Sequence, residues 1–389
     1  MTARPRLLIL GASTRAAAWS AWRAGYQPVC VDLFLDLDLR AVAEVHPLGS
    51  YPDGFPAAVA DLPPTPWIYT GGLENFPEIV AEIAAIHPLY GNGPEVLRLV
   101  RDPFWLDQFY SQHAFPRLRL SQGNAPPPTD GTWLLKSTGS SGGRQIVRWL
   151  PEGTNSPLLS DRHYFQEYRE GTACSALFLA TEKKTELVAL FEQLIGNPQR
   201  PEIPPFGYRG SLCPVHLPEE AIALLAQLGS TLTKGANLRG VFGLDFVWGE
   251  GTVWPVEINP RYTASVELAE YATGRSLISG QLNGEIESEV AHQSPHAYLG
   301  KQIVYAPVSL RIGKRFDGDP DSHSPEGRSS WGFPRFADIP PPGTEIRTGD
   351  PVCTLFAGAP DRGTLLQTLA AMESELLYEL GFPEGPAGG

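Results

Sequence analysis

The sequence predicts an α/β protein, α+β in part, on three observations. Apolar runs and helical stretches alternate around a glycine turn at the N-terminus. A lysine-bearing strand then runs into a Gly/Ser hairpin, and a later hairpin places carboxylates and an amide on one face. The composition agrees with this class. The chain has 389 residues, 30 Lys+Arg against 43 Asp+Glu for a net charge of −13, 42% hydrophobic and 19% charged residues. That is ordinary for a globular protein and too apolar for a disordered one. The length fits two or three domains. The acidic balance argues against a protein that grips nucleic-acid phosphates. No apolar run approaches the roughly 20 residues of a membrane span, and the opening apolar run is too short for a signal peptide. Cys30, Cys174, Cys213 and Cys353 lie far apart with no CxxC, so neither a disulfide framework nor a zinc knuckle is expected. The expectation is a cytoplasmic enzyme. Gly/Pro-rich stretches at 124–131, 196–210, 316–328 and 339–343 are candidate boundaries.

At the N-terminus, the apolar run 6–10 ends in Gly11-Ala12-Ser13-Thr14. A helix is expected over 16–24, closed by Gly25 in the position a C-cap favours. A second apolar run, 28–31, ends at Asp32. This order opens a doubly wound sheet. A helix N-terminus after Gly11 can hold an anion or polar group, which makes Gly11, Ser13, Arg15 and Asp32 candidate substrate contacts. The bland alternative is that Gly11 makes the turn and Asp32 caps a strand end. One glycine instead of GxGxxG speaks against NAD. Further strands are expected at 67–70 and 88–91, around a helix at 77–86.

Residues 132–148 read TWLLKSTGSSGGRQIVR. Lys136 precedes the glycines and a second strand, 145–149, follows them, whereas a P-loop lysine follows its glycines and opens a helix. The segment Ser137, Thr138, Gly139, Ser140, Ser141, Gly142 and Gly143 reads as a lid. Its backbone N–H groups can approach phosphate oxygens because glycine lacks Cβ, and Lys136 supplies a point charge. The alternative is a plain hairpin with a surface lysine. Downstream, 163–171 reads HYFQEYREG. Gln166, Glu167 and Tyr168 can present main chain and side chains to an adenine edge, and Glu170 can reach a ribose hydroxyl. Alone, this is an ordinary strand and turn.

The strongest local signal is VFGLDFVWGEGTVWPVEINPRYTASVE, residues 241–267. Two β-rich runs flank Gly249-Glu250-Gly251, a three-residue loop by its grammar. With Trp248 opposite Thr252, Asp245 faces Pro255 and lies diagonal to Glu257. Alternation then puts Gly243, Asp245, Glu257 and Asn259 on one face, with Leu244, Phe246, Trp254, Val256 and Ile258 on the core face. Diagonal neighbours stand roughly 7–8 Å apart, a span that a cation bridges. An all-oxygen set suits Mg²⁺ sharing substrate phosphates. Pro255 cannot donate to the ladder and marks an irregularity. Arg261 follows, able to stabilise charge on a transferring phosphate. A helix from Ser265 to before Gly274 points its positive end at the same place. The alternative is a solvent-facing polar face neutralised by Arg261.

Taken together, these residues resemble the ATP-grasp superfamily. The resemblance implies an ATP-grasp fold, with an N-terminal pre-ATP-grasp Rossmann-like domain at 1–101 and the ATP-grasp domain at 102–299. The lid subdomain would fall at about 104–165, and a small C-terminal β-rich unit with a closing helix at 300–389. It implies ATP with Mg²⁺, Mn²⁺ being the alternative ion. Lys136 would bind phosphate, the 137–143 loop would close over it, and 166–170 would meet adenine and ribose. Glu257 and Asn259 would hold the metal, with Asp245 a third or supporting group, and Arg261 would lie at the transferred phosphate. The wording GASTRAAAWSAWRAGY, DLFLDLD and EINPRYTASVE looks like ATP-dependent carboligases related to biotin carboxylase, some of which are associated with one-carbon cofactor biosynthesis, including methanofuran ligases.

The implied activity is carboxylate–amine ligation through an acyl phosphate, with Lys136 and Arg261 catalytic. A bicarbonate-using carboxylase and a non-catalytic nucleotide-binding protein are the alternatives. The implied partners are a small carboxylate and a small amine, with no nucleic acid or membrane. One departure stands out: Arg101-Asp102-Pro103 puts proline where many relatives carry lysine, leaving Arg101 as the substitute. The C-terminal stretch resembles the biotin-carboxylase C-terminal region without a biotin-attachment motif. Its helix, from about 363, lines up Leu365, Leu369, Met372, Leu376 and Leu380. It is expected to close the site or support a homodimer. The eight histidines show no metal spacing, and no Ser/His/Asp or Cys/His constellation is present.

Overall fold

The computed structural model describes residues 3–150, 160, 162–284, 296–313 and 332–382. The candidate boundary at 316–328 and two of the histidines, His292 and His323, lie outside the described residues.

The N-terminal layer is the expected parallel sheet. Strands β1 (Arg6–Leu10), β2 (Gln27–Asp32), β3 (Glu44–Pro47) and β4 (Trp67–Tyr69) run in the order β3-β2-β1-β4. Helices α1 (Arg15–Arg23), α2 (Leu37–Arg40), α3 (Phe55–Val59) and α4 (Pro77–Ala84) connect and cover them. The run at 88–91 forms no strand; Leu89 makes a single bridge to Trp67. Pro88 has no N–H to extend the ladder. Strand β3 went unforeseen because its sequence, EVHP, lacks an apolar run: it is a half-exposed edge.

Helices α5 (Pro94–Val100) and α6 (Pro103–Gln112) carry the chain onward. Pro103 is therefore a helix-starting proline, whose missing N–H costs nothing at that position. Asp102 caps α6 by accepting from Phe104 N at 2.9 Å. A small antiparallel sheet follows, β5 (Leu120–Gln122), β6 (Trp133–Ser137), β7 (Val147–Arg148) and β8 (His163–Glu167), in the order β5-β8-β6-β7.

The largest layer is an eight-stranded antiparallel sheet. Its first strands are β9 (Thr172–Ala180), β10 (Thr185–Ile195) and β11 (Tyr208–Cys213), followed by helix α7 (Glu219–Ala236), β12 (Gly240–Gly249) and β13 (Thr252–Asn259). Helices α8 (Ala264–Thr273) and α9 (Leu277–Asn283) lead to β14 (Tyr298–Tyr305), β15 (Leu310–Arg311), β16 (Phe336–Ala337), β17 (Glu345–Ile346) and β18 (Pro351–Ala359). The chain ends in α10 (Arg362–Glu379). The spatial order is β13-β12-β9-β10-β11-β14-β18-β16, with β15 and β17 paired separately. The C-terminal strands thus extend the central sheet. Helix α7 packs Leu225, Leu228 and Leu232 over Phe178 and Phe242 on one face. On the other face, α1, α8 and α9 join Leu177, Leu179 and Val241 in a core shared with the N-terminal layer. Helix α10 buries Leu365, Leu369, Met372 and Leu376, with Leu380 half-buried beside them.

The 241–267 hairpin departs from the expected register. Its loop has two residues, Glu250 and Gly251, with φ of +54° and +69°, so Gly249 pairs with Thr252. Positive φ at both positions is the twist-matched turn for a hairpin. Beyond Pro255 the register shifts by one, leaving Val256 unpaired and setting Asp245 directly opposite Glu257. A β-bulge does this, and a proline that cannot donate is a natural place for one. The bulge also changes the faces. Val253 and Ile258 lie in the core, whereas Trp254 stacks under the Arg169 guanidinium at 4.6 Å and Val256 lines a cavity.

Candidate functional site

A cavity of about 300 Å³ lies between the small sheet and the eight-stranded sheet. From one wall, β6 delivers Lys136, only 2% exposed, whose ammonium donates to Gln166 Oε1 on β8 at 3.1 Å. The Tyr164 ring lies 5.8 Å below it. The Gly/Ser loop folds down over the opening. Ser140 O accepts from Arg101 at 3.1 Å, Ser141 Oγ accepts from Asn75 Nδ2 at 3.0 Å, and Gly142 O accepts from Tyr208 N at 3.0 Å. Gly143 is the tightest point: at φ +71°, a Cβ there would fall 1.9 Å from Phe206 O. Only glycine allows both the backbone angle and that approach. Ser140, Ser141, Gly142 and Gly143 line the cavity. Ser137, Thr138 and Gly139 form the outer part of the turn, with Thr138 N bonded to Arg162 O at 2.8 Å.

Gln166, Glu167, Tyr168 and Arg169 border the same cavity. Glu167 is held by Arg119 N and the Arg119 guanidinium, both at 3.1 Å, and by Arg169 at 3.0 Å. Burial pushes its pKa up, but these donors outweigh it and the carboxyl sits below its ordinary range. Tyr168 stacks 4.0 Å from the Arg148 guanidinium. Glu170 is exposed and lies outside the lining.

From the opposite wall, Asp245 accepts hydrogen bonds from Gln193 Nε2 and Asn259 Nδ2, both at 2.9 Å. Burial, then the Glu257 charge, push its pKa up to about 7. Asn259 Oδ1 accepts from Arg261 at 3.2 Å. Glu257 is more open, its side chain 31% exposed, with Arg101 at 3.8 Å. Arg261 pairs with Glu74 at 2.8 Å, on the 3₁₀ turn Leu73–Asn75. Burial raises the Glu74 pKa, yet Arg261 and then Arg101 hold it below its ordinary value. Thr263, Ala264 and Ser265 bring the start of α8 to the cavity edge, as the hairpin reading expected. Arg101 ties these parts together: it donates to Ile258 O at 3.1 Å, to Asn75 Oδ1 at 3.0 Å and to Ser140 O of the Gly/Ser loop.

The donor set fits a divalent cation. Burial and then the facing Glu257 charge make Asp245 costly to ionise, a cost that a cation at its oxygens would offset. Among the described residues, no cluster of three or more His, Cys, Asp or Glu side chains has metal-holding geometry. Protein ligands would therefore be few, leaving places for water and phosphate oxygens, as Mg²⁺ prefers.

Sequence reasoning missed Glu74, Asn75 and Gln193. None belongs to a spaced motif; the only pointer was Arg101, standing where a lysine was expected. The N-terminal candidates lie elsewhere, since none of the four lines the cavity. Asp32, fully buried, accepts from Thr14 N (2.6 Å), Thr14 Oγ1 (2.8 Å), Phe34 N (2.7 Å) and Leu35 N (2.9 Å), so it organises the turn. A Cβ on Gly11 would fall 1.8 Å from Thr70 Oγ1. Ser13 is exposed, and its carbonyl accepts from Thr70 Oγ1 at 2.8 Å. Arg15 is buried in ion pairs with Glu267, Asp338 and Asp38.

Comparison with known proteins adds the following. Residues 111–265 match the family model described as ATP-grasp domain. A curated relative, the uncharacterized protein MJ0776 of Methanocaldococcus jannaschii, is 24% identical over 232 residues, covering 58% of this chain and 51% of that protein. The chain thus spans about half the length of that relative. The biotin carboxylase domain of Hydrogenobacter thermophilus 2-oxoglutarate carboxylase, a complex with MgADP, ADP and bicarbonate, superposes with TM-score 0.70 at 13% identity. It covers 96% of this chain and 90% of its own. The Campylobacter jejuni biotin carboxylase–β-γ-ATP complex gives 0.68 at 13% identity, over 97% and 95% of the two chains. N5-carboxyaminoimidazole ribonucleotide synthetase of Thermus thermophilus gives 0.65 at 16% identity, over 98% and 100%. At these identities the likeness is one of fold. The chain has the ATP-grasp fold, and its residues 111–265 match the ATP-grasp domain model.

Proposed function

We propose that this protein is an ATP-dependent carboxylate–amine ligase that works through an acyl phosphate. One observation carries the reading. A single cavity joins a buried lysine and a glycine lid on one sheet to Asp245, Glu257, Asn259 and Arg261 on the other. ATP would lie between the sheets, its base against the 166–169 segment and its phosphates under the lid near Lys136. Glu257, Asp245 and Asn259 would hold Mg²⁺, which when bound neutralises phosphate charge. A substrate carboxylate oxygen attacks the γ-phosphorus, the bond to the β,γ-bridging oxygen breaks, and ADP leaves. The amine then attacks the acyl carbon, loses a proton, and expels inorganic phosphate as the C–O bond breaks. Lys136 and Arg261 stabilise the developing phosphoryl charge, and the docked lid excludes water. No covalent enzyme nucleophile is needed.

The test is ADP release by the full chain with MgATP over panels of carboxylates and amines. Release requiring both substrates, with an amide product by mass, is the expected result. Release that needs bicarbonate and no amine would replace this reading with a carboxylase. A MgATP-dependent rise in Tm without turnover under any condition would replace it with a nucleotide-binding role.

A further inference from the structure

In an open α/β sheet, ligands sit in the crevice outside the carboxyl ends of the strands. Here that crevice meets Arg261. Gly71 and Gly72 follow β4, and each leaves the place of a side chain to a functional head. A Cβ on Gly71 would lie 3.4 Å from Arg261 Cζ, and one on Gly72 would fall 1.9 Å from the Tyr51 hydroxyl. Gly72 also has φ +104°, which a side chain disfavours. Consecutive Cα atoms are about 3.8 Å apart, so the guanidinium and the hydroxyl flank one peptide unit. Glu74 anchors the same unit: its carboxylate accepts from Gly72 N at 2.6 Å and pairs with Arg261 at 2.8 Å.

Tyr51 belongs to the loop after β3. Its ring is held edge-on against Phe55 and Phe76, with centroids 5.8 and 6.0 Å away. Its hydroxyl makes no hydrogen bond among the described residues, and the residue is 36% exposed. Two other tyrosines near the site are spent: Tyr69 donates to Asn92 O at 2.6 Å, and Tyr208 bonds Ser211 at 2.8 Å. Burial and then the Glu74 charge push the Tyr51 pKa up to about 12, against the pull of Arg261, so the phenol keeps its proton at neutral pH. Tyr51 is thus a fixed neutral donor with nothing to donate to.

Position sets its role. Arg261 and Lys136 line the cavity and Tyr51 does not, so the hydroxyl lies past Arg261, outside the space assigned to nucleotide. In-line transfer brings the attacking carboxylate to the face of the γ-phosphorus away from ADP. We infer that the Tyr51 hydroxyl donates a hydrogen bond to the acyl oxygen on that face, while Arg261 meets the phosphoryl oxygens. When the amine forms its C–N bond, the C=O electron pair moves onto that oxygen, and the hydrogen bond strengthens as the charge develops. The pair returns as the C–O bond to phosphate breaks, and the phenol proton never leaves Tyr51. This rests on the ligase reading and adds a donor for its second step.

The test compares two isosteric anions on the full chain with MgADP: acetylphosphonate, which carries an acyl oxygen, and ethylphosphonate, which does not. By calorimetry the native chain should bind acetylphosphonate about fivefold more tightly, as one neutral hydrogen bond allows. Tyr51→Phe should erase that preference and leave the affinities for ethylphosphonate and MgADP as they were. The ligand-free Tm should hold too, because the hydroxyl has no partner to lose; a merely structural role would move Tm or weaken both anions alike. With 3-fluorotyrosine incorporated, the fluorine resonance missing from the Tyr51→Phe chain should shift with acetylphosphonate and stay still with ethylphosphonate. The inference is overturned if the native chain binds neither anion, binds both equally, or if Tyr51→Phe keeps the preference. The native chain alone decides against it in the first two cases, whatever the variant does. Failure of MgADP to bind would count against the ligase reading instead, and the two anions would then be compared on the nucleotide-free chain, where the same outcomes decide.

Discussion

The loop after β1 and the hairpin of β12 and β13 have the same credentials in sequence: a turn, a carboxylate and an arginine close together. The structure treats them oppositely. Asp32 spends its acceptor capacity on four hydrogen bonds within its own loop, and Arg15 is enclosed by carboxylates. Glu257, by contrast, has among the described residues only Arg101 at 3.8 Å and faces a cavity. A motif identifies residues with chemical capacity; what separates a binding group from a scaffold group is whether the fold has already used that capacity.

The largest effect that sharpens this contrast is Glu257→Gln. It keeps the shape and removes the charge of an unsaturated group, so turnover should fall by at least about a hundredfold with little change in Tm, a loss typical of removing one stabilising group from a reacting charge. Unchanged turnover would sink the metal assignment. The mirror change is Asp32→Ala. It strands buried donors, at a cost of about 1–3 kcal/mol for each left unsatisfied. Tm should drop by several degrees while the KM for ATP stays as it was; a raised KM with an unmoved Tm would show that the two loops are alike after all.

Arg101 tests the border between the two kinds of residue. It is bonded to Ser140 O, Asn75 and Ile258 O, so it joins the Gly/Ser loop to the carboxylate hairpin. Arg101→Ala should speed limited proteolysis between residues 137 and 143 several-fold, and nucleotide should suppress that cutting in the native chain. Cutting indifferent to both would remove the lid from the account.

The hairpin and the lysine strand were legible because their signals are local: alternation, glycine turns and spacing within a few residues. The bulge at Val256 was only half legible. Pro255 announced an irregularity, but alternation alone cannot say which residue is skipped, and a shift of one exchanged Trp254 and Val256 with Val253 between faces. Glu74, Asn75 and Gln193 were illegible because their roles arise from long-range packing. Gln193 acts through register across β9, and Glu74 comes from another layer to meet Arg261. The C-terminal strands read correctly as strands, but membership of the central sheet depends on partners such as β11 that lie about ninety residues away.

The smallest expected effect concerns Glu74, which shares both characters: it is buried and held by Gly72 N like a scaffold group, yet it pairs with Arg261 at the cavity. Its pKa lies below that of a free glutamate because Arg261 and Arg101 outweigh burial. An acid whose folded pKa is depressed is stabilising when ionised. That contribution is complete above the unfolded pKa of about 4.3 and is lost as pH falls through the lower folded value. Glu74→Gln should therefore lower stability near neutral pH and flatten its decline below about pH 4. The same change frees Arg261 to wander, so kcat should fall several-fold while the KM for ATP holds. If the acid limb of the stability profile is identical in native and Glu74→Gln chains, the pair is electrostatically idle and Arg261 is positioned by Asn259 Oδ1 and Tyr262 O.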